Sequence, residues 1–207
     1  MRRLLALAAL VLAGCVSVDV GKEPAAHVLL TLRDVTSTAV QRRAEPLVNA
    51  LLIQPQSAHA VADTLSIAYS RREHEFAFYQ YASWTERPVR QLPRLLQRRL
   101  EASGVAGAVG LVGDPLGADW LLSIGIDALH HDVSSSPGAG RVALTADLFD
   151  RRTRTRIAHR RFEASVPAAS ADSSAAAQAM SESVTKAFDE LQPWLEVELK
   201  RASPQAR

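Results

Sequence analysis

The chain of 207 residues contains a single cysteine, Cys15. One cysteine excludes an intramolecular disulfide, so stability has to come from an ordinary hydrophobic core. The chain also lacks an excess of charge of one sign, since 24 basic residues face 22 acidic ones. Arg2 and Arg3 account for the difference. The remaining charge is balanced, which gives no indication of a nucleic-acid partner.

A long hydrophobic run is missing as well. The apolar stretch from Leu4 to Val16 has 13 residues, whereas a membrane-spanning helix needs about 20. Two arginines precede this stretch, and it ends in Leu12-Ala13-Gly14-Cys15. A charged start, a short apolar middle and a small-residue cleavage site are typical of a secretory signal. The last four residues resemble a bacterial lipobox, in which the cysteine thiol receives a diacylglycerol and the chain is cut before the cysteine.

We therefore predict a signal peptide over residues 1–14, lipidation at Cys15 and a tether over residues 15–25. Several buried acyl chains would hold the protein firmly on a membrane. Val16 follows the cysteine, and the absence of aspartate at that position favours the outer membrane. Two alternatives stay open: ordinary cleavage after Gly14 that leaves a free thiol, and a chance match in a cytoplasmic protein.

Catalytic motifs are also missing. The chain has no G-x-S-x-G elbow, phosphate-binding loop, dinucleotide fingerprint or H-E-x-x-H. The best metal-like cluster is His130, His131 and Asp132. Because neighbouring strand residues point to opposite faces, the two histidines can share an ion only in a loop. We expect no enzyme activity, no metal and no cofactor, with a hydrolase or metalloprotein that uses His130 and His131 as an alternative.

Hydrophobic periodicity predicts an α+β domain over residues 26–200, with a tail at 201–207. Strands are expected near 27–32, 48–53, 65–69, 76–81, 109–112, 120–127, 142–148 and 157–166. The strands at 65–69 and 76–81 should form a hairpin, and the last three strands an antiparallel meander. Helical spacing predicts an internal helix that ends near Gly104 and a C-terminal helix from Met180 to Leu199. Both helices should cover one face of a mixed or antiparallel sheet. Pro93 requires the internal helix to start near Arg90 or to kink, and Pro193 should kink or restart the last helix.

Aromatic residues are few but clustered. Six of the eleven fall between Tyr69 and Trp84. Phe76 and Phe78 are expected on the core face of their strand, which leaves Tyr79 and Tyr81 on the other. Because Tyr and Trp tolerate a half-wet surface, Tyr79, Tyr81 and Trp84 are candidate partner-contact residues. The open alternative is that a helix covers this second face.

Arginines form the densest charge run, at positions 151, 152, 154, 156, 160 and 161. Such a run can serve acidic partners or anionic lipid head groups. The alternative, which we favour, is a solvated strand whose charges prevent edge-to-edge aggregation.

The stretch from Leu51 to Leu100 resembles the ABC-type transport auxiliary lipoproteins, which are the lipoprotein partners of MCE transport systems. The features that carry the resemblance are a strand ending in proline, an I-x-Y strand, an aromatic strand, a tryptophan and a leucine-rich helix. In this chain they are Leu51 to Pro55, Ile67-Ala68-Tyr69, Phe78 to Tyr81, Trp84, and Leu92 to Leu100. The chain departs from the family at Tyr69-Ser70-Arg71 and Val61-Ala62-Asp63, where Y-R and Leu-Asp are frequent.

The resemblance implies a non-enzymatic lipoprotein on the periplasmic face of the outer membrane. Its partner would be an MCE protein supplied by an inner-membrane permease and ATPase. Such a complex moves phospholipids or other hydrophobic molecules across the envelope. The alternative is an outer-membrane assembly or secretion lipoprotein that forms an oligomeric scaffold. A homo-oligomer is open in both cases, and no nucleic-acid partner is expected.

Overall fold

The computed structural model describes residues 26–35, 42–56 and 60–202. The predicted signal peptide, Cys15 and the predicted tether lie outside the described residues, as does the tail from residue 203 onward. The statements below concern the described part of the chain.

The fold class is confirmed: the described residues form one α+β domain, with eight strands in a mixed sheet that does not close and two α-helices. The elements in chain order are β1 (Val28–Leu30), β2 (Val48–Pro55), β3 (Ser66–Ser70), β4 (Ala77–Trp84), α1 (Pro88–Ser103), β5 (Ala106–Leu111), β6 (Trp120–Asp132), β7 (Ala139–Asp150), β8 (Thr155–Pro167) and α2 (Ser173–Ala202). A 3₁₀ turn, Ala60–Ala62, lies between β2 and β3.

The expected hairpin and meander are both present. β3 and β4 pair antiparallel, and β6, β7 and β8 pair antiparallel in succession. α1 ends at a left-handed Gly104, as expected of a glycine C-cap. Pro93 lies inside α1, which begins at Pro88, and α2 continues through Pro193 to Ala202 without restarting. Each proline removes one helical hydrogen bond, and the buried leucines around it keep the helix against the core.

β6 is the strand from which the sheet divides. One of its edges pairs with β7 along almost its whole length. The other edge is shared, because β2 pairs with residues 120–124 and β3 pairs only with His131 and Asp132. The sheet therefore has two branches beyond this edge. One consists of β2 and β5, and the other of β3, β4 and β1.

Both helices pack on one face of the sheet. α1 contacts β2 and β5, and α2 contacts β7 and β8. The strand residues beneath them are fully buried, as Leu144, Ala146 and Leu148 show for β7. A Cβ at Gly140 of β7 would lie 2.4 Å from the backbone of Ala179, so glycine permits the close approach of α2. The opposite side of the sheet, here called the uncovered face, has no described α-helix on it.

The two helices are joined by an ion pair between a buried arginine and an exposed aspartate. Arg99 of α1 donates from Nη1 to the Thr185 carbonyl oxygen of α2 at 3.1 Å. Its guanidinium also pairs with Asp189 of α2 and lies 5.8 Å from the Phe188 ring centroid. Removal of one partner from such a pair leaves a costly buried charge. Arg99 therefore fixes how α1 and α2 sit beside each other.

Two phenylalanines test this one-sided core. Phe188 is fully buried between α2 and the sheet, whereas Phe78 is 48% exposed on the uncovered face. Phe188→Ala should lower the free energy of unfolding by about 3–5 kcal/mol, because it leaves a cavity. Phe78→Ala should lower it by less than about 1 kcal/mol, since a surface truncation leaves no cavity. Urea denaturation of both variants measures the difference, and equal losses would contradict the placement of the core.

Candidate functional site

Four large side chains lie exposed on the uncovered face of the β3–β4–β1 branch. Directly paired residues share a face, and the pairs Phe78 with Ala68 and Leu29 with Ser83 put Phe78 and Leu29 on this side. Tyr81 shares it because it lies two residues from Ser83 in β4. Their exposed fractions are 64% for Leu29, 52% for Tyr81, 48% for Phe78 and 42% for Phe76. We call Leu29, Phe76, Phe78 and Tyr81 the aromatic surface.

The assignment of faces within the aromatic strand was wrong. Phe76 and Phe78 do not take the core face, and Trp84 is only 2% exposed and belongs to the core. The cause is a register shift, since Ser66 pairs with Ser83 but Ala68 pairs with Phe78. The extra residues in β4 reverse the alternation of side chains.

Of the three candidate partner-contact residues, only Tyr81 is exposed. Tyr79 is half-buried against the core, and its hydroxyl is bonded to His131. Trp84 presents no side chain to a partner, because it packs beneath the helices. The other exposed side chains of this surface are ones that periodicity did not select, namely Phe76, Phe78 and Leu29. A count of aromatic residues finds this hairpin, but only the register shift shows which of them are exposed.

Tyr79 and His131 form a buried pair on the helix side of the sheet. The Tyr79 hydroxyl lies 2.7 Å from Nδ1 of His131, whose side chain is fully buried. Burial lowers the pKa of His131 and raises the pKa of Tyr79. Both groups are then neutral, and the Tyr79 hydroxyl donates a hydrogen bond to Nδ1 of the imidazole. A Cβ at Gly138 (φ 93°) would lie 2.5 Å from Nε2 of His131, so the ring is closed in on that side too. This pair links β4 to β6, with the His131 ring buried and Tyr79 half-buried.

A charged groove of about 760 Å³ borders the aromatic surface on the uncovered face. It is lined by Phe76 and by the charged or titratable side chains Arg72, Glu73, His74, Asp127, His130, Asp132, Arg141 and Arg161. Nε of Arg141 lies 2.7 Å from Asp132, and Nε of Arg161 lies 3.4 Å from Asp127. A hydrogen bond from Ser134 and the Arg141 charge hold the pKa of Asp132 below its usual value. The groove thus presents paired charges of both signs.

The histidine cluster does not assemble into a metal site. His130 lines the groove, with its ring 5.2 Å from that of Phe76, while His131 faces the helices. The two rings lie on opposite faces, as the alternation of strand side chains requires. No group of three metal-ligating side chains is found within residues 26–35, 42–56 and 60–202.

Asp147 organises the centre of the uncovered face. Its carboxylate accepts hydrogen bonds from Gln56 at 2.9 Å, His159 at 2.8 Å and Arg156 at 3.2 Å. Burial acts to raise the pKa of Asp147, but these hydrogen bonds and charges outweigh it and the pKa is lowered. Arg161 of the dense run is paired with Asp127 on the same face. Arg160 lies on the helix side instead, where it pairs with Glu190 of α2. This part of the face is polar and its charges are largely matched.

The class of protein follows from this arrangement. A sheet with helices on one side and an exposed aromatic surface on the other defines a small α+β domain suited to contact with another surface. The family model of the ABC-type transport auxiliary lipoprotein component matches residues 30–191. The chain belongs to this family, and the resemblance in the stretch from Leu51 to Leu100 is confirmed.

Solved structures show the same fold. A Xanthomonas campestris protein superposes with a TM-score of 0.72 at 24% identity, covering 84% of this chain and 97% of that one. An uncharacterised protein superposes with a TM-score of 0.63 at 12% identity, covering 82% of this chain and 99% of that one. PelC from Paraburkholderia phytofirmans, a dodecamer, gives a TM-score of only 0.43 at 15% identity over 73% of this chain and 92% of its own. That likeness is too low for a comparison of assemblies. No curated protein matches the chain.

Within the described ranges, neither α1 nor α2 is long and apolar enough to cross a membrane.

The buried His131 makes stability depend on pH. Because burial lowers its pKa in the folded state, the unfolded chain binds the proton more readily below the ordinary pKa of about 6.5. The free energy of unfolding should therefore fall as pH is lowered from about 7 to 5, and the fall should be smaller in His131→Gln. Urea denaturation at each pH measures the free energy of unfolding. If this free energy depends on pH as strongly in His131→Gln as in the wild type, the buried neutral imidazole is contradicted.

Proposed function

We propose that this protein is a non-catalytic, lipid-anchored subunit of an ABC-type transport system, fixed to the outer membrane through Cys15 and facing the periplasm. Its partner is an MCE-domain protein, and the complex moves phospholipids or other hydrophobic molecules across the envelope. The observation that carries the proposal is the family match over residues 30–191. The lipobox at Leu12 to Cys15 supports the anchor.

The direction of the chain indicates which end of the domain meets the partner. β1 runs parallel to β4, so the chain enters β1 from the end of the sheet where β3 turns into β4. The turn between β7 and β8 lies at the other end, beside Trp120. β6 separates the two ends by about 40 Å. A tether that leads into β1 holds the first end near the membrane and directs the other into the periplasm.

The distal turn, between β7 and β8, has the chemistry of an acidic partner's docking site. Three arginines are exposed there, at positions 151, 152 and 154, around a groove of about 580 Å³. Asp119, Asp150, Phe149 and Leu121 also line this groove, so basic side chains outnumber acidic ones by three to two. Arg152 is paired with Asp150, whereas the Arg151 side chain donates to the neutral Ala118 carbonyl oxygen at 2.7 Å. Exposed arginines attract acidic surfaces and speed their association. We therefore place the MCE partner at this distal turn.

The anchor is tested by mass measurement. The wild-type protein extracted from native membranes should lack residues 1–14 and carry acyl groups on Cys15. Cys15→Ala should retain residues 1–14 and carry no acyl group, because lipidation and cleavage both need the thiol. A wild-type mass that includes residues 1–14, or an unmodified sulfur, would contradict the anchor.

The partner is tested by photo-crosslinking in cells. A photoreactive benzoylphenylalanine in place of Thr153, in the distal turn, should form an adduct with an MCE-domain protein. The same residue in place of Gln178, exposed near the start of α2, is the matched control and should give no such adduct. Adducts between copies of this chain at position 153, without the MCE protein, would favour an oligomeric scaffold. Absence of any MCE adduct at position 153 would contradict the placement.

A further inference from the structure

We propose that the aromatic surface lies on the bilayer that holds the anchor, with Leu29, Phe76, Phe78 and Tyr81 in the interfacial layer of the membrane. This inference rests on the proposed lipidation of Cys15. It adds a second contact with the membrane, made by the folded domain itself, and fixes the orientation of the domain on the envelope.

The exposure of these side chains is the first step. All four lie on one branch of the sheet, on the side away from α1 and α2. Monomeric soluble proteins rarely leave such groups together in water, and a contiguous apolar patch marks a contact with protein or membrane.

The tether supplies the second step. Residues 15–25 connect the anchor to the first described residues, and these eleven residues reach at most about 40 Å when fully extended. β1 follows directly, and its Val28 pairs with Ala82, the neighbour of Tyr81. The bilayer is thus the surface that always lies within reach of the aromatic surface, at a high effective concentration.

The rim of the aromatic surface supplies the third step. Arg71 and Arg72 are exposed in the turn between β3 and β4, four and five residues before Phe76. The same turn exposes Glu73 and Glu75, and Arg72 lies 4.0 Å from Glu75, so Arg71 is the arginine of this turn without an acidic partner within its own turn. The Arg71 guanidinium lies 4.9 Å from the Tyr69 ring centroid, a cation–π contact at the end of β3. Aromatic rings flanked by arginine match the interfacial layer, where rings sit at the level of the head groups and cations meet lipid phosphates. The same end of the domain therefore carries the chain entry, the aromatic side chains and the Arg71 cation.

The test places a tryptophan reporter on the aromatic surface of the mature lipidated protein. Phe78→Trp is reconstituted through its anchor into vesicles of phosphatidylglycerol and phosphatidylcholine with bromine on the acyl chains, which quench tryptophan on contact. The matched control is Ile157→Trp, at the exposed start of β8 near the distal turn. The wild-type spectrum is subtracted from both, since the chain has three tryptophans of its own, Trp84, Trp120 and Trp194.

The Phe78→Trp variant should lose most of its added emission in brominated vesicles and show a blue-shifted maximum, while the Ile157→Trp control keeps its emission. Equal emission of both variants in brominated and unbrominated vesicles would overturn the proposal. So would quenching of the control to the same extent. Shielding of position 78 only when a second copy or the MCE protein is added would also overturn it and assign the surface to a protein. The mass of Cys15 is checked first on the same sample, so failure of the anchor is distinguished from failure of the membrane contact.

Discussion

The one-sided covering of the sheet is the constraint on which the rest of this structure depends. Both helices are long and amphipathic, and both pack on the same face, joined by the Arg99–Asp189 pair. A sheet of eight strands then has one face with no α-helix from the described chain. The polypeptide has to make that face tolerable to water or give it a partner. Around β6, β7 and β8 the face carries charged side chains that water tolerates. In the β3–β4–β1 branch the face carries exposed aromatic side chains that a partner could cover.

The division at β6 separates these two solutions. Around β6, β7 and β8, the uncovered face carries matched charges, with Asp147 between Gln56, Arg156 and His159. Around β3, β4 and β1, it carries Leu29, Phe78 and Tyr81 instead. Charged networks are satisfied in water, whereas exposed aromatic rings gain from being covered. The functional surface is therefore expected where the network ends.

Sequence periodicity could predict the elements whose pattern is long and unbroken. The stripe from Met180 to Leu199 is wholly buried in α2, and the alternation in β6, β7 and β8 gives the meander. It could also predict that the hairpin carries the aromatic residues. It could not predict which faces these residues take. The register shift in β4 arises from pairing with β3, and the spacing of residues within β4 alone does not reveal it. Nor could it predict the division of the sheet at β6. That β2 and β3 pair with different parts of the same edge of β6 is a property of the folded chain and leaves no pattern in the sequence.

The site illustrates the same limit in another way. The alternation of strand side chains separated His130 from His131 and so argued against a metal site, and the structure places them on opposite faces. The burial of His131 against Tyr79 and Gly138 depends on a loop that no periodicity describes. Trp84 is a candidate contact residue by its type, because tryptophan is enriched at contacts, but its side chain is 2% exposed and belongs to the core.

The central claim is that the uncovered aromatic surface is covered when the protein stands in its envelope. Oxidative footprinting with hydroxyl radicals tests it directly, by comparing the labelling rates of Phe78 and Tyr81 in intact envelopes with those of the same protein after proteolytic release from its tether. The account predicts that both rings are labelled much more slowly in the envelope, while Ile157 is labelled at the same rate in both states. Equal rates at Phe78 and Tyr81 before and after release would contradict it.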